Sequence, residues 1–238
     1  MTGMVDVHCH ILPGVDDGAP DLETAEAILR KEYQDGVRAI IATPHYRRRM
    51  FEPPIEKIAS AFQKLWPKAE AIGIQLYLGC EYHVNMEITE DILSHNRPGL
   101  AGSRYVLSEF SSASTEAFIR ERCNHMRSRG LIPVIAHVER YPAITENLDL
   151  ADELSGMGCM LQINADSFLG EDGRKVRRFC KKMLEYEMAD LVGSDAHDMK
   201  RRPPRMGECA AWLEKKVGSS YTEKLMRGNA EKILNHVE

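Results

Sequence analysis

The chain has 238 residues, of which 43% are hydrophobic and 28% are charged, and its net charge is −5. This composition is typical of a globular protein, and the negative charge argues against a general nucleic-acid-binding surface. No apolar run reaches membrane-spanning length and the first residues lack a secretion signal, so we expect a cytoplasmic protein without membrane insertion. The six cysteines occur singly, which argues against a disulfide framework and a zinc–thiolate site.

Short apolar runs alternate with longer amphipathic runs along the chain. The apolar runs predict buried parallel strands, because they are short and rich in Val, Ile and Leu. They lie at 5–8, 38–42, 74–80, 105–108, 132–136, 159–163 and 190–193. The helices between them have recognisable ends, since Asp21 can cap the first, Gly36 can end it, and Thr115 precedes the third. These helices are expected at about 22–36, 54–73, 116–130, 147–156, 174–187, 205–217 and 222–236.

Seven strands that alternate with helices imply parallel pairing with right-handed crossovers. No linker or repeat divides the chain, so we predict an α/β fold in which residues 1–238 form one domain, a closed or nearly closed barrel. A doubly wound open sheet is the alternative. The first loop between a strand and a helix lacks the GxGxxG motif that would favour it.

Side chains that can bind metal ions follow most of the predicted strands. The first strand ends in His8 and His10, which point to the same side together with Asp6. In an αβ barrel the C-terminal ends of the strands form the active site, so polar residues there are expected to converge. The later strands end, in chain order, in His45, Glu81, Glu109, His137, Asn164, and Asp195 with His197. Imidazole and carboxylate ligands without a thiolate favour Mn, Fe or Zn.

The loop after the first strand, residues 12–18, carries two adjacent aspartates. Its glycines allow a tight path, so that Asp16 or Asp17 can return to the metal centre. Asp-Asp-Gly is also an ordinary turn sequence, and the spacing alone does not choose between the two aspartates.

The motifs together resemble the PHP (polymerase and histidinol phosphatase) superfamily. Within it, the chain is most similar to the manganese-dependent bacterial protein-tyrosine phosphatases of the CpsB/CapC type. The matching segments are 6–18, 42–45, 50–52, 79–82, 109–110, 136–141, 193–197 and 202–204. The resemblance implies a distorted seven-stranded, TIM-like (β/α)7 barrel that holds three divalent metal ions. It favours manganese, although Fe and Zn suit the ligands too.

The resemblance also implies a ligand set for each metal and favours Asp17 over Asp16. The first set is His8, His10, Glu81 and Asp195; the second is Glu81, Glu109 and His137; the third is Asp17, His45 and His197. Arg140 and Arg202 match arginines that bind phosphate in the family and are expected to be catalytic. The alternative for both is ordinary surface ion pairing.

Such a centre suits the hydrolysis of phosphate monoesters. The positive charge of three divalent ions exceeds the negative charge of four carboxylates, so the centre can attract a phosphate. Water bound to the ions would supply a hydroxide for in-line attack near neutral pH. The resemblance implies a phosphotyrosine protein as substrate, namely a bacterial tyrosine kinase that controls capsule or exopolysaccharide synthesis. Three alternatives are a small-molecule phosphatase such as a histidinol-phosphate phosphatase, a metal-binding module without catalysis, and an amidohydrolase. The last usually needs a carbamylated lysine where this chain has Glu109.

Some residues near these motifs have two interpretations. Arg47, with the two arginines after it, either attracts an acidic phosphopeptide or belongs to a solvated basic run. Phe51 and Tyr82 either stack on a substrate ring at the rim or have a structural role.

Two further groups are assigned no function. Cys123 and Arg129 have the spacing of cysteine phosphatases, but the segment lacks glycine and is typical of a helix, not of a phosphate loop. The histidines outside the predicted ligand sets are also assigned no role: His83, His95, His125 and His236.

Overall fold

Parallel β-strands form the centre of the structure. The computed structural model describes residues 3–94 and 97–235. In chain order the strands of this part are β1 Met4–Cys9, β2 Val37–Ala42, β3 His45–Tyr46, β4 Gln75–Leu78, β5 Glu81–His83, β6 Tyr105–Glu109, β7 Ile132–Ile135, β8 Met160–Asn164 and β9 Leu191–Gly193. They pair in parallel in the orders β1-β2-β4 and β3-β5-β6-β7-β8-β9.

The strand count differs from the predicted seven. Each predicted strand overlaps an observed one, but the described residues contain two further short strands, β3 and β5. Pro44 has no backbone N–H, which interrupts the ladder between β2 and β3. Hydrogen bonds still link the two interrupted regions, from Gly79 N to Ala42 O (2.8 Å) and from Glu81 N to Pro44 O (3.1 Å).

The first and last strands lie side by side. Asp195 N donates to His8 O (2.7 Å) and His10 N donates to Ala196 O (2.9 Å), just beyond β9 and β1. The parallel sheet is therefore curled, and this α/β architecture places the C-terminal ends of β1 and β9 together. Gly193 permits the approach, because a Cβ atom there would lie 2.6 Å from the Cβ of His8.

Helices follow the strands. They are α1 Leu22–Asp35, α2 Ile55–Ile72, α3 Ile88–Leu93, α4 Glu116–Ser128, α5 Pro142–Thr145, α6 Leu148–Gly156, α7 Ala165–Leu169, α8 Arg174–Glu185, α9 Met206–Glu223 and α10 Asn229–Leu234. Asp21 caps α1 by accepting from Thr24 N, and Gly36 ends it with φ 97°. Thr115 caps α4 in the same way. The predicted caps are confirmed, whereas the short α3, α5 and α7 were not predicted.

Apolar side chains cover both faces of the strands. Because side chains alternate along a strand, one face of the sheet carries Val5, Val7 and Ile41, while the other carries Ile40 and Ala42. The polar residues gather at the C-terminal strand ends, where a functional site is expected. In the described part of the chain, no helix is long and apolar enough to cross a membrane.

Candidate metal centre

The structure brings the predicted ligands together at the C-terminal ends of the strands. Their ligand atoms form overlapping groups in which all atoms lie within 4.8 Å of one another. The groups are His10, Asp17, His45 and His197; His8, Glu81 and His137; His8, His10 and Asp195; and His45, Glu81 and Glu109. All nine predicted ligand residues therefore belong to at least one group.

The residues of the first predicted set lie close together. The Nε2 atoms of His8 and His10 lie 3.2 Å apart. Glu81 Oε2 lies 3.4 Å from His8 Nε2 and 3.2 Å from His10 Nε2, and Asp195 Oδ1 lies 3.4 Å and 3.5 Å from the same atoms. All four side chains are buried, and each carboxylate lies close to both imidazoles.

The second predicted set is only partly brought together. Glu81 Oε1 lies 3.0 Å from His137 Nε2, as a shared carboxylate would. Glu109 groups with His45 and Glu81 and not with His137. Its Oε2 instead contacts Nδ1 of His83 at 2.9 Å. His83, which was assigned no role, therefore orients a predicted ligand.

The third predicted set involves the loop after β1. Asp17 Oδ1 lies 3.5 Å from His45 Nε2 and 3.8 Å from His197 Nε2. Asp16 does not join this set. Its Oδ2 accepts from His10 Nδ1 (2.9 Å) and from His45 N (2.9 Å). The two neighbouring aspartates thus have different positions, one at the ligand atoms and one behind the imidazoles.

Asp6 does not join the ligand atoms, contrary to the expectation that it would point to the same place as His8 and His10. Its carboxylate accepts from His8 N (3.2 Å), Ser194 N (2.9 Å) and Ser194 Oγ (2.6 Å). The pairing of β1 with β2 is irregular between Asp6 and Cys9, so simple alternation does not hold there. Asp6 holds the ends of β1 and β9 together.

Hydrogen bonds at Nδ1 fix the imidazole tautomers. Gln162 Oε1 accepts from the backbone N of His137 (3.0 Å), so it is an acceptor for His8 Nδ1 as well (3.0 Å). The carboxylate of Asp16 accepts from His10 Nδ1, and the carbonyl of Asp195 accepts from His197 Nδ1 (2.9 Å). Nδ1 therefore carries the proton in these three imidazoles. The Nε2 lone pairs of His8 and His10 face the cluster, and that of His197 accepts from Arg202 Nη1.

A cation fits between these groups. Two facing Nε2 lone pairs 3.2 Å apart repel each other unless a cation or a proton lies between them. Glu81 Oε2 and His45 Nδ1 are buried and lie 2.9 Å from each other, but neither makes a hydrogen bond of acceptable geometry. Buried polar atoms without partners are rare and costly, and a bound ion would satisfy them.

The charges in the cluster support the same interpretation. Burial would raise the pKa of Glu81, but His8 and His45 outweigh it and hold the pKa well below its usual range. Burial would lower the pKa of His10, but Asp16 and Glu81 raise it well above the usual value. Burial, with His10 nearby, lowers the pKa of His197 to about 3, so that imidazole stays neutral.

The backbone is strained at two predicted ligands. His137 has φ 33° and Asp195 has φ 52°, both in the left-handed region that residues other than glycine rarely adopt. Such strain is typical of functional sites, where the surrounding contacts hold the side chain in place.

Arg140 and Arg202 both reach the cluster through Asp195. Their Nη2 atoms lie 3.0 Å and 2.5 Å from Asp195 Oδ2. Arg202 Nη1 also lies 2.7 Å from His197 Nε2. Both guanidinium groups are partly exposed, so they lie at the open side of the cluster, where a phosphate could meet them.

The segment after β3 forms one edge of the site. The ring of Phe51 stacks on that of His45, with centroids 5.1 Å apart and an angle of 15°. Arg47 and Phe51 exchange two backbone hydrogen bonds of 2.8 Å, which fold the segment back on itself. Tyr82 is buried and its hydroxyl donates to Pro98 O, so of its two interpretations the structural role fits and the place at the rim does not.

Cys123 lies within α4 and is buried, as expected for a helix residue. Contact with Cys159 and burial raise the pKa of its thiol well above the usual value, which leaves it unreactive. His125 lies on the same helix, away from the ligand groups. His95 and His236 lie outside the described residues.

Gln162 and Tyr141 support the site and were missed, whereas Asn164 was noted only as a strand-end residue. Gln162 donates from Nε2 to Asn164 Oδ1 (2.8 Å), and Asn164 Nδ2 donates to Asp195 Oδ2 (2.8 Å). Tyr141 contacts His137 Nδ1 through its hydroxyl (3.0 Å). A signal was present in the sequence, because Gln162 and Asn164 are polar residues two apart on a buried strand and so face the same side.

The curled parallel sheet and the convergent imidazoles and carboxylates define an α/β protein with a candidate metal centre at its strand ends. The family model for capsular polysaccharide synthesis, CpsB/CapC, matches residues 4–235. The chain therefore belongs to the CpsB/CapC family, and the resemblance predicted from the motifs is confirmed.

Known relatives cover nearly the whole chain. The tyrosine-protein phosphatase CpsB of Streptococcus pneumoniae is 35% identical over 238 residues, which cover 97% of this chain and 98% of the relative. The putative tyrosine-protein phosphatase CapC of Staphylococcus aureus is 37% identical over 202 residues, which cover 84% of this chain and 79% of the relative.

A solved structure has a similar fold. It comes from the crystal structures of YwqE from Bacillus subtilis and CpsB from Streptococcus pneumoniae, described as unique metal-dependent tyrosine phosphatases. The TM-score is 0.87 at 32% identity, and the match covers 99% of this chain and 96% of that chain.

Proposed function

We propose that this chain is a metal-dependent tyrosine-protein phosphatase, a phosphoric monoester hydrolase. The observation that carries the proposal is the convergence of buried imidazole Nε2 atoms and carboxylates on one cluster, with two arginines at its open side. The similarity to CpsB, CapC and YwqE supports phosphotyrosine as the group that is hydrolysed.

Three divalent metal ions, with manganese favoured over Fe or Zn, are part of this proposal. His8, His10, Glu81 and Asp195 would hold the first; Glu81, Glu109 and His137 the second; Asp17, His45 and His197 the third. The ligand groups overlap at His8, His10, His45 and Glu81, and Glu81, with two carboxylate oxygens, would be the shared ligand. When bound, the ions supply Lewis acidity toward the phosphate and a water made acidic for attack.

The protein's own groups then bind and orient the substrate. Arg140 and Arg202 can donate paired N–H groups to the equatorial phosphate oxygens, and this would neutralise charge as the phosphorus–oxygen bond breaks. Asp195 holds both guanidinium groups at the edge of the cluster before substrate arrives. Gln162, Asp16 and the carbonyl of Asp195 keep the Nδ1 protons in place, so that Nε2 is the atom of each imidazole that would bind an ion. Arg202 would have to release Nε2 of His197 for this.

The leaving group is a phenol, and a protein must reach the site. A phenolate with a conjugate-acid pKa of about 10 leaves without strong acid assistance, so this substrate does not require a general acid. The rings of Phe51 and His45, with Arg47 behind them, form an edge along which a tyrosine side chain could enter. The proposed partner is a bacterial tyrosine kinase of capsule or exopolysaccharide synthesis, dephosphorylated in the cytoplasm.

We also propose that the chain is one domain over residues 1–238 and that its sheets form one distorted seven-stranded barrel. In this description β2 with β3, and β4 with β5, are two interrupted strands. The hydrogen bonds from Gly79 to Ala42 and from Glu81 to Pro44 support the continuity between them. The bonds between the ends of β1 and β9 support closure.

The test compares substrates on the metal-loaded protein. We expect a phosphotyrosyl peptide to be hydrolysed with a higher kcat/KM than histidinol phosphate, the substrate of the main alternative. Chelation should abolish the activity. His8→Ala should remove it, and Cys123→Ser should serve as the matched control that retains it. A preference for histidinol phosphate, or activity that survives chelation but not Cys123→Ser, would contradict the proposal.

A further inference from the structure

Helix α8 is strongly basic, although the whole chain is acidic. Six of its 12 residues are Lys or Arg, and Glu185 is the acidic one. The chain as a whole has a net charge of −5. Such a local excess of positive charge on one helix attracts anionic partners. Its position relative to the candidate metal centre therefore matters.

A pocket of about 340 Å³ lies between α8 and the segment 139–145 that follows β7. Four cations line it: Arg140, Lys175, Arg178 and Lys182. Its apolar walls are Pro142, Val176 and Phe179. A pocket of this size, with cations above an apolar floor, fits one or two side chains that have an aliphatic stem and an anionic end.

The cations of this pocket are available for a ligand. Arg178 and Lys182 are exposed, and neither has an ion-pair partner among the residues that the structure describes. Lys175 contacts Glu146 at 3.1 Å, but both side chains are largely exposed, so that pair is weak. Arg140 is shared with the metal centre, because its Nη2 contacts Asp195 while its side chain lines the pocket.

Glu139 closes the inner end of the pocket. Its Oε1 accepts from Asn164 N (2.9 Å) and Ser167 Oγ (2.8 Å). Its Oε2 is buried without a hydrogen-bond partner. Four cations line the pocket against this one carboxylate, so the pocket as a whole is positive.

We propose that this pocket binds an acidic side chain, Asp or Glu, of the protein substrate next to its phosphotyrosine. The inference rests on the proposed function, since Arg140 would contact the phosphate on one side and border the pocket on the other. Side chains two residues apart on an extended peptide lie about 7 Å from each other on the same face. An acidic residue two positions from the tyrosine can thus enter the pocket while the phosphate reaches the metal centre.

The test uses two phosphotyrosyl peptides that differ only by Glu or Gln two positions on either side of the tyrosine. The pocket variant is Arg178→Gln/Lys182→Gln. The control variant is Arg174→Gln/Lys181→Gln, which removes the same charges from the same helix outside the pocket lining. Binding of the unphosphorylated Glu and Gln peptides, measured by fluorescence anisotropy, tests the pocket independently of catalysis.

We expect kcat/KM of the parent protein and of the control variant to be about tenfold higher for the Glu phosphopeptide than for the Gln phosphopeptide. Two exposed ion pairs would give a preference of about this size. The pocket variant should lose the preference while it hydrolyses a small aryl phosphate like the parent. The preference should also fade at high salt. Equal hydrolysis of the two peptides by the parent, or equal loss in both variants, would overturn the inference. If no phosphoester is hydrolysed, the proposed function fails, and the anisotropy measurement still decides the pocket.

Discussion

Substitution of Tyr141 tests whether hydrogen bonds behind the predicted metal-binding histidines strengthen metal binding. The Tyr141 hydroxyl contacts Nδ1 of His137 at 3.0 Å and accepts from Phe110 N at 3.0 Å, and the side chain is buried. Tyr141→Phe removes one oxygen atom and leaves the ring packing intact. A hydrogen-bond partner behind a metal-binding histidine is typically worth 10- to 100-fold in metal affinity, so we expect a loss of about that size.

The same substitution also affects stability. Phe110 N–H would lose its buried partner, which costs about 1–3 kcal/mol. For a protein of this size, that free energy lowers the melting temperature by roughly 2–4 °C per kcal/mol. Tyr221→Phe is a matched control, because its hydroxyl donates to Ala189 O at 3.0 Å, away from the ligand groups.

Metal binding to both variants is best measured by competition with a chelator, and stability by thermal unfolding of the metal-free proteins. We expect both variants to lose some stability but only Tyr141→Phe to lose metal affinity. If Tyr141→Phe binds Mn²⁺ or Zn²⁺ as tightly as the parent protein does, the hydroxyl does not orient His137 for metal binding. An equal loss of affinity in Tyr221→Phe would refute the reasoning in another way, since the effect would then be global.

Three further substitutions test other parts of the account. Arg202→Lys should lower kcat/KM for a phosphotyrosyl peptide by roughly 10- to 100-fold, because an ammonium group cannot replace the paired contacts of a guanidinium group; unchanged kinetics would remove Arg202 from phosphate binding. Cys123→Ser should retain full activity that a chelator still abolishes, and inactivity of a folded Cys123→Ser protein would contradict this. Burial raises the pKa of Asp166 from 3.8 to about 6, so the folded state binds this proton more tightly and stability falls as the pH rises from about 4 to 6. In urea unfolding, Asp166→Asn should therefore be more stable than the parent by about 1–2 kcal/mol at pH 7 and nearly equal to it at pH 4, whereas the same difference at both pH values would argue against a shifted pKa.

Much of the candidate site could be predicted because parallel strands present their C-terminal ends at one edge. His8, Glu81 and Asp195 lie at or just after the C-terminal ends of three predicted strands, and the strand pattern alone brings such positions together. The assignment of Asp17 rather than Asp16 needed the family resemblance, since both fit the turn. Their different contacts depend on the path of the loop, which the local sequence does not determine.

The remaining features depend on contacts between distant parts of the chain. Gln162 hydrogen-bonds to His8, which is 154 residues away in the sequence, and no local sequence pattern predicts such a pair. Asp6 departed from the expected alternation because of an irregularity between β1 and β2. The grouping of Glu109 with His45 rather than His137 follows from the short strands β3 and β5, which Pro44 and Gly79 separate from the longer ones.

The central claim is that the convergent imidazoles and carboxylates bind metal ions and that hydrolysis of phosphotyrosine depends on them. The most direct measurement follows bound metal per chain and phosphotyrosyl-peptide hydrolysis in the same samples as Mn²⁺ is added to metal-free protein. The account predicts that the metal-free protein is inactive, that activity rises together with bound metal, and that Glu81→Gln loses both. Full hydrolysis by protein without bound metal, or full metal binding and activity in Glu81→Gln, would contradict it.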